Sequence, residues 1–195
     1  MSTTDAPIPE HHPLRQFFGT VTEKAFAEKL GWADFTVSKY VAALLVDFIR
    51  QDQLHRITNA GGEPVEALVD LLYESEVSHG ADSFEREREV HRHIGDFTLF
   101  MAGLFPEYLT RLKTAGLIYH KDFLVDYIKT GKRSYRIAAE FGLAATDGEA
   151  HPSPPLFRAL SENFELCVAG LGFIRNDLDR LQDPGYRKAR QILLN

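Results

Sequence analysis

Glu89, His93, Asp96 and Phe100 follow one another at spacings of four, three and four. In a helix, residues three and four apart are neighbours, so these four form one line. They stand in EREREVHRHIGDFTLFMAGLFPE (Glu85 to Glu107), which is crowded with charge in its first half and almost free of it in its second. A histidine with an acid one turn to either side can ligate a metal, act as a general base or serve as a pH-sensitive strut. The same residues can equally do no more than hold one another, or an arginine of a neighbouring helix, at the edge of a core. Asp47, flanked by Tyr40 and Gln51 on an earlier predicted helix, would complete a constellation with His93 and Asp96 if the two helices pack together. The candidate polar site is therefore Asp96, His93, Glu89 and Asp47.

Other chemistry is thinly represented. A di-iron carboxylate bundle needs Glu-x-x-His on each of two helices, and only Glu76 and His79 have that spacing. That pair ends a predicted helix beside Gly80, where a site would fray. His91 with Glu87 reads as surface, and His11 and His12 read as tail. Cys167 falls within an apolar seam, where a thiol is packing and not a nucleophile. The chain contains no nucleophile elbow, phosphate loop or dinucleotide fingerprint; the GLGF at Gly170 lies inside a helical pattern with no strand before it. No metal set is complete, no motif names a cofactor, and whether the protein is an enzyme stays open.

The elements that would carry these residues are helical throughout. Leu14, Phe18, Val21 and Ala25 mark a first helix, with Pro13 suited to its start and Gly31 to its stop. A second begins at Asp34 to Thr36 and carries Val37, Val41, Leu44 and Phe48 on one stripe. A third opens at Pro64. In the fourth, Asp82 and Glu85 have capping-box spacing, and Val90, Ile94, Phe97, Met101 and Leu104 form a heptad-like seam. Its other faces turn apolar after Phe97, which predicts a helix buried all round. Pro106 starts a short helix that Gly116 can end. A long helix from about Lys121 to Gly142 follows, with Leu124, Ile128, Gly131, Tyr135 and Ala138 on one face. After the loop AATDGEAHPSPP, a last long helix keeps Leu160, Phe164, Cys167, Leu171, Ile174, Leu178 and Leu181 in one seam. Asp183-Pro184 punctuates it before a terminal helix.

The expected fold is all-α: a single-domain bundle of about four long helices with shorter ones packed around, over residues 13–195, after a flexible tail at 1–12. Gly95 and Gly103, two turns apart, and Gly131 each carry a cost of about 1 kcal/mol against alanine in a helix interior. Close helix packing or a flat ligand against the backbone must offset it.

Composition narrows the class further. With 195 residues, 44% hydrophobic and 26% charged, the chain has the make-up of one ordinary globular domain. Fourteen Phe and seven Tyr fill a core generously. A net charge of -6 argues against nucleic acid as the main partner, because phosphate binding needs a positive footprint. The basic clusters at Arg86, Arg88 and Arg92 and at Lys132, Arg133 and Arg136 are interleaved with acids or aromatics. A single cysteine leaves no intrachain disulfide and fits a reducing cytoplasm. The longest greasy stretch, FTLFMAGLF, is half a membrane span, and the N-terminus lacks a secretory pattern. These features predict a soluble cytoplasmic protein with no membrane partner.

The pattern in RHIGDFTLFMAGLFPE resembles one found in a group of functionally uncharacterised bacterial all-helical proteins. The likeness extends from LRQFFGTVTEKAF through YVAALLVDFI to DFLVDYIKTGKRSY, which is most of the chain. It implies a bacterial cytoplasmic protein and carries over no functional residue. The reading is a non-catalytic regulatory or scaffolding protein that acts by association, as a homo-oligomer. The alternative is a helical enzyme or a metal- or cofactor-binding protein using the carboxylate–histidine site.

Overall fold

A computed structural model describes residue 9 and residues 11–49, 84–109, 123–144 and 153–194. All of the regular structure among them is helical: α1 (Pro13–Lys24), α2 (Phe35–Ile49), α3 (Phe84–Leu104), α4 (Phe123–Ala144), α5 (Pro154–Glu162), α6 (Phe164–Leu181) and α7 (Pro184–Leu194). Four of these are long and three are short, as the periodicity predicts. The predicted third helix, the Glu76–His79 pair, Gln51, Asp82 and Gly116 lie outside the described residues. None of the described helices is long and apolar enough to cross a membrane.

Local chemistry sets the helix ends. Asp34 caps α2, its Oδ1 accepting from the amides of Thr36 and Val37 at 3.0 Å each. His12 belongs to the fold and not to the tail, because its Nδ1 accepts from the amide of Leu14 at 3.2 Å and so caps α1 just before Pro13. A π-helical turn, Ala25–Lys29, extends α1, and Gly31, at φ +65°, then reverses the chain as only glycine does readily. Asp183 caps α7 through the amide of Tyr186 at 2.8 Å.

The core gathers around α3, which packs most extensively on α4 and also on α6 and α2. Val90, Ile94, Leu99, Phe100, Met101 and Leu104 are fully buried, and Phe97 nearly so, which places α3 at the centre as its two apolar faces require. One expectation fails. The last long helix is two, broken at Asn163, whose own side chain donates to the carbonyl of Ala159 at 3.0 Å and draws that turn tight. Leu160 to Leu178 still form one buried seam across the break. Leu181, 62% exposed, has left it, because Gln182 turns left-handed there and ends α6.

Close packing accounts for the central glycines. A Cβ on Gly95 would lie 2.6 Å from ring carbons of Tyr135. One on Gly103 would strike Leu171, on Gly131 Phe164 and Thr98, and on Gly170 Phe26. Each glycine admits a side chain from another element against its backbone, so protein fills the space that a flat ligand would have needed.

Cys167 is fully buried in α6, and burial, reinforced by Asp34 and Glu165, pushes its thiol up to about 12. A thiol reagent at pH 8 is therefore expected to label it only after denaturation. Rapid stoichiometric labelling of the native protein would show that the α6 seam opens.

Candidate functional site

Asp96 enters the core on α3 at 6% exposure, and three helices meet around it. Tyr40 of α2 donates its hydroxyl to Asp96 Oδ1 at 2.6 Å, and Tyr135 of α4 donates to the same oxygen at 2.7 Å. On the other side Arg92, one turn back on α3, pairs with Oδ2 at 3.6 Å. Its Nε–H also donates to the Tyr40 oxygen at 3.3 Å, and its guanidinium lies 5.9 Å from the centre of that ring. The carboxylate thus ties α2, α3 and α4 together.

Why these residues meet can be followed locally. Gly95, immediately before Asp96, lacks the Cβ that would exclude Tyr135, so the ring lies on the α3 backbone with its hydroxyl at the carboxylate. Phe157 of α5 stacks against the far face of Tyr135 at 5.9 Å and meets Tyr40 edge-on at 6.0 Å. Burial, then the charge of Asp96, raises both phenols well above their ordinary range, so they remain donors. Burial works against the Arg92 charge, but Tyr40 and Asp96 outweigh it and hold the guanidinium protonated.

The four residues singled out from sequence separate. Asp47, His93 and Asp96 come together, lining with Tyr40, Phe48 and Arg92 a cavity of about 40 Å³. The predicted packing of Asp47 toward His93 and Asp96 is thus present in the fold. His93 is buried there between aromatic neighbours, its ring centre 5.9 Å from Phe48 and 6.5 Å from Phe97. Glu89 does not join. Seven residues before Asp96 it stands about 10 Å away along the helix axis, where it pairs with Arg86 at 3.7 Å with both side chains partly exposed. Nor is the anchor of Asp96 an arginine from another helix: it is Arg92 of its own, together with two tyrosines. Among the described residues no three of His, Cys, Asp and Glu stand close enough to share a metal ion.

Tyr135 is the member that sequence reasoning left out. It reads as one more apolar position on α4, yet a buried tyrosine hydroxyl ordinarily finds a polar partner, and the only clue to which partner was a glycine beside an acid.

His91 corrects a second expectation. It is buried at 7% exposure, not on the surface, with its Nδ1 3.4 Å from the Ser134 hydroxyl of α4. Burial, then the charge of Arg133, lowers its pKa from 6.5 to about 4. The unfolded chain therefore binds a proton between these values that the folded chain refuses, so stability is full above about pH 6.5 and drains away as pH falls toward 4. Urea midpoints measured across that window should fall with pH in the wild type and flatten in His91→Gln. Parallel slopes for the two proteins would remove His91 as the cause.

Comparison of the chain with protein-family models, with curated proteins and with solved structures finds no match.

Proposed function

We propose that this chain is a bacterial cytoplasmic helical protein that works by association, in a regulatory or scaffolding role, with its own copies among its partners. The observation that carries the reading is where concave space lies. The cavity beside Asp96 holds about 40 Å³, enough for water but far below the roughly 300–1,000 Å³ of a small-molecule site. Both oxygens of Asp96 already face groups of the same chain. By contrast, an open groove of about 300 Å³ runs between α1 and α2, walled by Phe35, Ala42, Ala43 and Val46 and edged by Arg15, Glu23 and Lys39. Phe35 at its rim is 71% exposed. An apolar floor with a charged edge and an aromatic anchor is the make-up of a protein-binding surface. The resemblance of RHIGDFTLFMAGLFPE and its flanking segments to bacterial helical proteins is the basis for the source and compartment.

The test is a photo-crosslinking amino acid placed in living cells at Lys39, in the groove, and as a control at Arg158, an exposed residue of α5. A discrete adduct from position 39 and none from 158 is expected. No adduct at 39, or the same smear from both, would overturn the reading.

A further inference from the structure

We infer that the groove between α1 and α2 is filled by a second copy of this chain, with the two α1 helices antiparallel across Gly19. This rests on the association reading and adds the partner and its register. Arg15, Gly19 and Glu23 all line the groove, each four residues from the next along α1. Four residues rise about 6 Å, so the two charges sit at equal distances on either side of the glycine. A two-fold axis through Gly19 sets Arg15 of each copy against Glu23 of the other, giving two identical ion pairs from one surface patch. A parallel arrangement would instead bring arginine against arginine.

The glycine itself is the second observation. Glycine in a helix interior costs about 1 kcal/mol against alanine. At Gly95, Gly103, Gly131 and Gly170 a side chain of the same chain occupies the space where a Cβ would go. At Gly19 a Cβ would meet nothing within 4 Å, although the residue is in mid-helix and faces the groove. The close neighbour that makes a side chain unwelcome there comes from outside the chain. The α2 wall agrees: its small residues Ala42 and Ala43 lie near the middle, where backbones must approach. Phe35 and Val46 lie at opposite ends, so the same axis brings the exposed ring of one copy toward the valine of the other.

Sedimentation velocity on the full chain tests this, with circular dichroism confirming that each variant keeps the wild-type helix content. Wild type is expected at twice the 22.1 kDa chain mass, dissociating as salt rises. Arg15→Glu and Glu23→Arg should each weaken the dimer about tenfold or more, since each places two like-charge pairs across the axis. The double reversal, Arg15→Glu with Glu23→Arg, should restore it. Gly19→Cys should yield a disulfide-linked dimer on mild oxidation, because position 19 faces its own symmetry mate. A wild type of single-chain mass at every concentration overturns the inference. So does a dimer indifferent to the single reversals, or one that the double reversal fails to restore. If position 39 crosslinks to a different protein while the purified chain stays single, the self-pairing falls and the association reading stands. If position 39 gives no adduct, both fall.

Discussion

Asp96→Asn is expected to lower the melting temperature by roughly 10 °C. The substitution keeps the volume and one acceptor oxygen but removes the charge, and it turns an amide donor toward the Arg92 guanidinium, itself a donor. Hydrogen bonds to a charged group contribute about 1.5–3 kcal/mol each, and breaking a fully buried ion pair costs about 3–5 kcal/mol. Arg92 is 30% exposed, so solvent screens part of its pairing and the lower end applies. About 3 kcal/mol at about 2–4 °C per kcal/mol for a chain of this length gives the figure stated. Tyr40→Phe and Tyr135→Phe should each cost about half as much. Combined with Asp96→Asn, either should add little, because all three act through one carboxylate. Calorimetry on the four proteins decides it. A melting temperature unchanged or raised by Asp96→Asn would mean that the carboxylate is held at a cost to stability, which is the mark of a working group and not of a strut.

Gly95→Ala should destabilise by about 2–4 kcal/mol, although alanine is the better helix former. The added methyl would lie 2.6 Å from the Tyr135 ring, and that ring cannot retreat, since Phe157 stacks behind it and Phe164 packs at 6.0 Å. Overpacking of this kind costs about 1–3 kcal/mol. Displacing the ring also pulls its hydroxyl from Asp96, about 1.5–3 kcal/mol more, against a propensity gain of about 1 kcal/mol. Gly19→Ala, the same change where nothing is met, should raise the melting temperature of the separated chain. Denaturant titration of both variants at low protein concentration is the comparison to make. Equal and opposite effects would trace to backbone contact, whereas two stabilised variants would show that the fit of Tyr135 against α3 carries no energy.

The sequence by itself determined what depends on one helix at a time. Pro13, Gly31, Asp34 and Asp183 mark element ends because caps and turns act within a few residues of where they stand. The seam from Val90 to Leu104 predicts burial because a period near 3.6 points those side chains one way, whatever lies opposite. The same logic placed His93 and Asp96 at the border of that seam and Asp47 beside the stripe of α2. It also gave the glycines of α3 and α4 a packing role without naming what packs. Only the tertiary structure decided the partners. Tyr135 reaches Asp96 across 39 residues of chain and Tyr40 across 56, and no local spacing encodes which helix lies opposite a given turn. Glu89 shares a line with Asp96 yet is left out, because α2 and α4 place their hydroxyls only at the level of Asp96, two turns farther along. His91, with acids and arginines on either side in sequence, is drawn inward because α4 covers that face of α3. A helix fixes the direction in which a side chain points, and the packing of three helices fixes what it meets there.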